Sequence, residues 1–95
     1  MTMRKAHIYI DGLVQGVGFR YFIKKKAEEL GIKGFVRNIQ GGVEVIAEGE
    51  YKAIEELIKK CWEGPPTARV DNVTVEDSPP QLLFKDFTIK PDLKQ

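Results

Sequence analysis

Ninety-five residues carrying fifteen Lys and Arg against fourteen Asp and Glu have a net charge of +1, far from the strongly basic balance of a typical nucleic-acid binder. One cysteine (Cys61) and one histidine (His7) exclude an internal disulfide and a C-x-x-C motif, and leave zinc chemistry or a His-based triad almost nothing to work with. No apolar run approaches the roughly 20 residues of a membrane-spanning helix, and a hydrophobic fraction of 42% suits one small globular domain over residues 1–95.

Met1-Thr2-Met3-Arg4-Lys5 runs straight into a strand without a signal peptide, so a cytoplasmic protein is expected. Charges dominated by Lys and Glu, with Asn only at Asn38 and Asn72, point to a thermophile. The first strand covers roughly residues 4–12, where Ala6, Ile8 and Ile10 alternate with polar neighbours. A glycine-spaced loop follows, Gly12-Leu13-Val14-Gln15-Gly16-Val17-Gly18-Phe19-Arg20. It opens a helix from about Phe19 to Leu30, with Phe19, Ile23, Ala27 and Leu30 on one face and the run Lys24-Lys25-Lys26 on a solvated face. Gly31 serves as its C-terminal cap residue.

Strand, glycine loop and helix start together make an anion site. Glycine permits the positive-φ conformations that turn successive N–H groups toward one point. The first N–H groups of the helix lack intrahelical partners and carry the positive end of the dipole. No Ser, Thr, Asp or Asn stands before the helix to cap them. Arg20 sits in the first turn, where the dipole disfavours a cation. A local rule broken at a glycine loop marks functional chemistry.

Phe35–Asn38 and Val43–Glu48 read as two strands joined by the hairpin turn Ile39-Gln40-Gly41-Gly42. A second helix spans about Tyr51 to Trp62, with Ile54, Leu57, Ile58, Cys61 and Trp62 forming its apolar stripe and Cys61 and Trp62 expected in the core. Gly64-Pro65-Pro66 stops it. Val70, Val73 and Val75 mark a fourth strand with an odd step that suggests a bulge or a late start. Phe84 to Ile89 reads as a short fifth strand. The order β-α-β-β-α-β plus a terminal strand gives an α+β, ferredoxin-like sandwich, with two helices on one face of a mainly antiparallel sheet.

The loop with Arg20, together with Gly34-Phe35-Val36-Arg37-Asn38, resembles the acylphosphatase family, which carries a G-x-V-Q-G-V-x-F-R loop and a G-x-V-x-N strand. The resemblance covers nearly the whole chain. It implies hydrolysis of carboxyl-phosphate mixed anhydrides to a carboxylate and inorganic phosphate, with no metal and no cofactor. By motif match, Arg20 is the phosphate-binding arginine, Asn38 orients the water, and Gln15, Gly16, Val17, Gly18 and Phe19 supply a backbone cradle. Candidate substrates are small-molecule acyl phosphates or aspartyl-phosphate, acted on by a monomer with no nucleic-acid or membrane partner. A non-catalytic phosphate-binding regulatory domain is the alternative. Lys33-Gly34-Phe35-Val36 half resembles the RNP1 motif of RNA-recognition domains, but on the wrong strand. His7 lies toward the start of the first strand, remote from the loop, and reads as structural.

Overall fold

The computed structural model describes residues 2–93; Met1, Lys94 and Gln95, at the ends of the expected 1–95 domain, lie outside the described residues. The elements run β1 (Met3–Leu13), α1 (Phe19–Glu29), β2 (Lys33–Ile39), β3 (Gly42–Glu50), α2 (Tyr51–Glu63), β4 (Arg69–Ser78) and β5 (Phe87–Ile89). The five strands form one sheet in the order β4-β1-β3-β2-β5. All neighbours are antiparallel except β2 and β5, which are parallel. The expected α+β, ferredoxin-like architecture is what the chain adopts.

The alternation in β1 divides the sheet into two faces. Ala6, Ile8 and Ile10 are buried with Val36, Val43, Val45 and Ala47, and against them pack Phe19, Ile23 and Ala27 of α1 and Ile54, Leu57 and Cys61 of α2. Both helices therefore cover the same face. Helix α1 ends in a Schellman turn at Gly31 (φ 71). There the Ile32 N–H donates to the Ala27 carbonyl at 2.9 Å and Gly31 to Glu28 at 3.2 Å. The odd valine step in β4 is a bulge. Asp11 pairs with Asn72 and Gly12 with Val70, which leaves Asp71 as the extra residue.

Two expectations from the apolar pattern need correction. Trp62 is half exposed while Cys61 is fully buried. Ile54, Leu57 and Cys61 define the inward stripe, and Trp62 lies one residue, about 100°, further round the helix. Burial also pushes the Cys61 thiol up to about 12, so it is an inert core group. Secondly, only Phe87–Ile89 of the proposed fifth strand pairs with the sheet. The chain must first travel from the β4 edge to the opposite edge, and it does so across the face without helices. The Glu48 carboxylate accepts N–H bonds from Gln81 (2.7 Å) and Leu82 (3.2 Å). Phe84 meets Phe35 edge-on with ring centres 6.0 Å apart.

The same face carries a polar chain. His7 Nε2 lies 2.6 Å from Glu44 Oε2, Tyr9 Oη lies 3.3 Å from His7 Nδ1, and Arg37 Nε donates to Glu44 Oε1 at 2.6 Å. Burial alone would push the Glu44 carboxyl up, but the bonds from Arg37 and His7 outweigh it and hold it below its ordinary value of 4.5. A depressed folded value means stability that is present above the unfolded value and lost as pH falls through the folded one. Glu44→Gln is therefore expected to cost about 2 kcal/mol at pH 7, roughly 10 °C in Tm. The gap from wild type should shrink toward pH 3. A gap of constant size in thermal melts across that range would contradict this account.

Candidate active site

Every residue singled out by the glycine-loop pattern lies at one end of the sheet. Val14 is buried and anchors the loop between β1 and α1. Gly16 (φ 72) and Gly18 (φ 80, ψ 15) both occupy the left-handed region, with Val17 between them. Only glycine enters that region without strain. Gly18 is the residue before the first turn of α1 and makes no side-chain capping bond. Among the described residues, no backbone N–H from Gln15 to Arg20 donates to a backbone carbonyl. Six consecutive donors left free at a positive helix end have the chemistry to accept an anion.

The loop is tied to the β2–β3 hairpin. Gln15 Nε2 donates to the Ile39 carbonyl at 2.7 Å and to the Gly42 carbonyl at 2.8 Å. The Gln15 side chain is thus spent on the hairpin, and only its backbone remains for a ligand. Asn38 stands beside Ile39 near the end of β2 and points to the helix-covered face, the face of Val36. It is 7% exposed. Its Oδ1 is fully buried and has no hydrogen-bond partner among the described residues. A buried acceptor left unpaired costs about 1–3 kcal/mol, so its retention calls for an explanation beyond folding.

Arg20, half-buried in the first turn of α1, donates from Nη1 to Asp92 Oδ1 at 3.2 Å. The next residue, Leu93, donates its N–H to the Asn38 carbonyl at 2.9 Å, and Lys90 does the same to Val36. The segment 90–93 therefore links Arg20 to the strand that carries Asn38. Loop, arginine and asparagine are brought together by these bonds, although they come from three different elements. Asp92 escaped the sequence reading because its partner is 72 residues away and the tail carries no pattern. Thr67, whose Oγ1 donates to the Val17 carbonyl at 2.7 Å, escaped as part of a helix-breaking stretch.

His7 lies on the other face of the sheet, bound to Glu44, and takes no place in this constellation. The described residues contain no group of three His, Cys, Asp or Glu that could hold a metal ion. A depression of about 230 Å³ lined by Gly12, Leu13, Val14, Gln15, Gly41 and Gly42 adjoins the loop. Two larger cavities among the described residues, about 530 Å³ beside Thr2 and Tyr51 and about 250 Å³ beside Glu48 and Phe84, lie at the opposite end of the sheet.

Known proteins identify the family to which this sequence and fold belong. An acylphosphatase from Thermotoga petrophila is 45% identical over 93% of this chain and 98% of its own length. The structure of an acylphosphatase from Coxiella burnetii superposes with a TM-score of 0.88 at 42% identity, covering 93% of each chain. Full-length HypF in a phosphate- and nucleotide-bound form matches with a TM-score of 0.90 at 35% identity, over 98% of this chain and 12% of that one. The family model described as Acylphosphatase matches residues 6–89. The chain belongs to the acylphosphatase family, enzymes that hydrolyse acyl phosphates to a carboxylate and inorganic phosphate.

Proposed function

We propose that the backbone N–H groups of Gln15–Phe19 and the Arg20 guanidinium hold the phosphoryl group while Asn38 orients the attacking water. The observation that carries this reading is the buried, unpaired Asn38 Oδ1, one bonded segment away from Arg20. An amide oxygen there accepts from a water and its NH₂ donates to another atom. A pure anion binder, the alternative reading, has no use for such a group.

Arg20 offers a permanent charge and a planar fork that matches two phosphate oxygens. The loop dipoles serve the remaining oxygens and stabilise the charge that spreads over them during transfer. The water oxygen bonds to phosphorus as the bond from phosphorus to the acyl oxygen breaks. The electron pair departs with the carboxylate, and the water proton passes to a phosphoryl oxygen. A carboxylate, with a conjugate-acid pKa of about 4, leaves without a general acid.

This reading needs no metal or cofactor. It also needs no second chain, because every residue invoked comes from one, and a net charge of +1 gives no incentive for nucleic acid. We infer a cytoplasmic monomer of one domain; no described helix is long and apolar enough to cross a membrane. Gln15, Gly16 and Gly18 are exposed, so aspartyl-phosphate on a protein surface can reach the loop as well as a small acyl phosphate.

The test is phosphate release from benzoyl phosphate in the presence of EDTA. Turnover should match that of untreated protein; loss on chelation with recovery on adding one metal overturns the metal-free reading. With glycerol phosphate in the same buffer, kcat/KM should fall by at least about 10³-fold, since the scheme assigns no described residue to protonate an alkoxide and proton transfer of that kind contributes about 10²–10⁴. Comparable rates on both substrates would reveal an acid outside this scheme.

A further inference from the structure

Helix α2 does not simply stop at Glu63. Gly64, at φ +64, brings the chain so close to α1 that a Cβ there would lie 2.9 Å from Phe19 Cε2. Pro65 and Pro66 follow, each with a fixed φ, and the Ala68 N–H closes the turn on the Pro65 carbonyl at 2.9 Å. The result is a stiff strap against the first residue of α1, held from the side opposite the sheet connection made by Gln15. From this strap the Thr67 hydroxyl donates to the Val17 carbonyl. Thr67 is the only described side chain hydrogen-bonded to the backbone of Gly16–Gly18.

The position of that bond matters. The Val17–Gly18 peptide is joined on its C-terminal side to Gly18, which is in the left-handed region, and Val17 itself follows a second such glycine, Gly16. Such a peptide is poorly restrained by local sterics, because glycine accepts both signs of φ. A trans peptide is planar, and its C=O and N–H point in opposite directions. Fixing the Val17 oxygen on Thr67 therefore fixes the Gly18 N–H on the other side, where it meets no described backbone acceptor.

We propose that Thr67 is a positioning residue. Its hydroxyl prevents rotation of the Val17–Gly18 peptide and keeps the Gly18 N–H directed at the bound phosphoryl group. The proposal rests on the reading of Gln15–Phe19 as the phosphate cradle. It assigns Thr67 no contact with substrate. The effect belongs to anion affinity, because a preorganised donor spares the ligand the cost of ordering it.

Thr67→Val keeps the shape and removes the hydroxyl; Thr67→Ser keeps the hydroxyl. The quantities to measure are the competitive inhibition constant of inorganic phosphate, KM and kcat for benzoyl phosphate, and Tm. In the valine variant, the phosphate constant and KM should both rise about 3- to 10-fold, the worth of one modest hydrogen bond, with kcat falling by no more than a similar factor because the same donor also serves the transition state. The serine variant should stay within twofold of wild type in all of them. Lower Tm in the valine variant with unchanged phosphate affinity would make Thr67 a merely structural residue and overturn the proposal. So would a serine variant as impaired as the valine one. If wild-type protein is not inhibited by phosphate at all, the cradle reading fails and takes the proposal with it. If wild type is inhibited and the valine variant is inhibited equally, only the proposal fails.

Discussion

Arg20→Ala is expected to lower kcat/KM for benzoyl phosphate by about 10³-fold or more. Removing a single preorganised donor from a charge-stabilising site costs about 10²–10³ in rate, and a transition-state arginine in phosphoryl transfer contributes about 10³–10⁵. The proposed scheme gives Arg20 both roles, and among the described residues it is the only cationic side chain placed beside the loop through a bonded network. Its cost is already visible in the fold, since a cation in the first turn of α1 opposes the helix dipole. Asp92 offsets part of that by giving the guanidinium a carboxylate partner at 3.2 Å. Both partners of this pair are about a third or more exposed, so it adds little to stability. Arg20→Lys retains the charge and loses the fork, and a loss of about 10²-fold is expected, because a point charge cannot bond two phosphate oxygens in one plane. Steady-state kinetics on both variants check this, with Tm confirming the fold. A lysine variant with kcat/KM near wild type would remove the bidentate role.

The difference between what was readable in the chain and what was not has a physical basis. The loop and α1 could be read because their information is local: glycine spacing, a missing cap and a misplaced arginine lie within nine residues. The core followed from alternation in β1 and the 3.6-residue repeat of the helices. What depends on long-range closure was not readable. Phe84 has a strand former's chemistry, yet it packs on Phe35 because the chain from β4 must cross the sheet before β5 can pair with β2. Glu48 sits at an outward position of β3 and is nonetheless 3% exposed, since that crossing covers it. Trp62 shows the limit of periodicity itself, for one step of 100° separates a core position from a solvent-facing one. At the site, Asn38 could be proposed from its motif, but its buried unpaired oxygen became visible only once β2 was packed under α1. Asp92 and Thr67 carry no signal in the sequence because their partners, Arg20 and Val17, are 72 and 50 residues away.

Asn38→Ala should separate activity from stability more sharply than any other change. In the proposed scheme its amide acts on the water and not on the phosphoryl group, so kcat should fall by about 10²–10³-fold, the range for losing an oriented polar group at a reacting atom. The inhibition constant of inorganic phosphate should stay within about threefold, because the N–H groups of the loop and Arg20 are untouched. The same substitution removes a buried acceptor that has no partner among the described residues. Leaving such an atom unpaired costs about 1–3 kcal/mol, so deleting it offsets the packing lost with the side chain. Tm should therefore change by only a few degrees, in either direction. A residue present for folding behaves in the opposite way, since its loss lowers Tm and reduces activity only through the unfolded fraction. Asn38→Asp sharpens the contrast. Its carboxylate occupies the same space but meets the phosphoryl charge with a like charge, so phosphate inhibition should weaken at neutral pH and recover as the carboxyl is protonated. If phosphate inhibition vanishes in the alanine variant together with turnover, Asn38 binds the anion itself. The water then lacks the orienting group assigned to it.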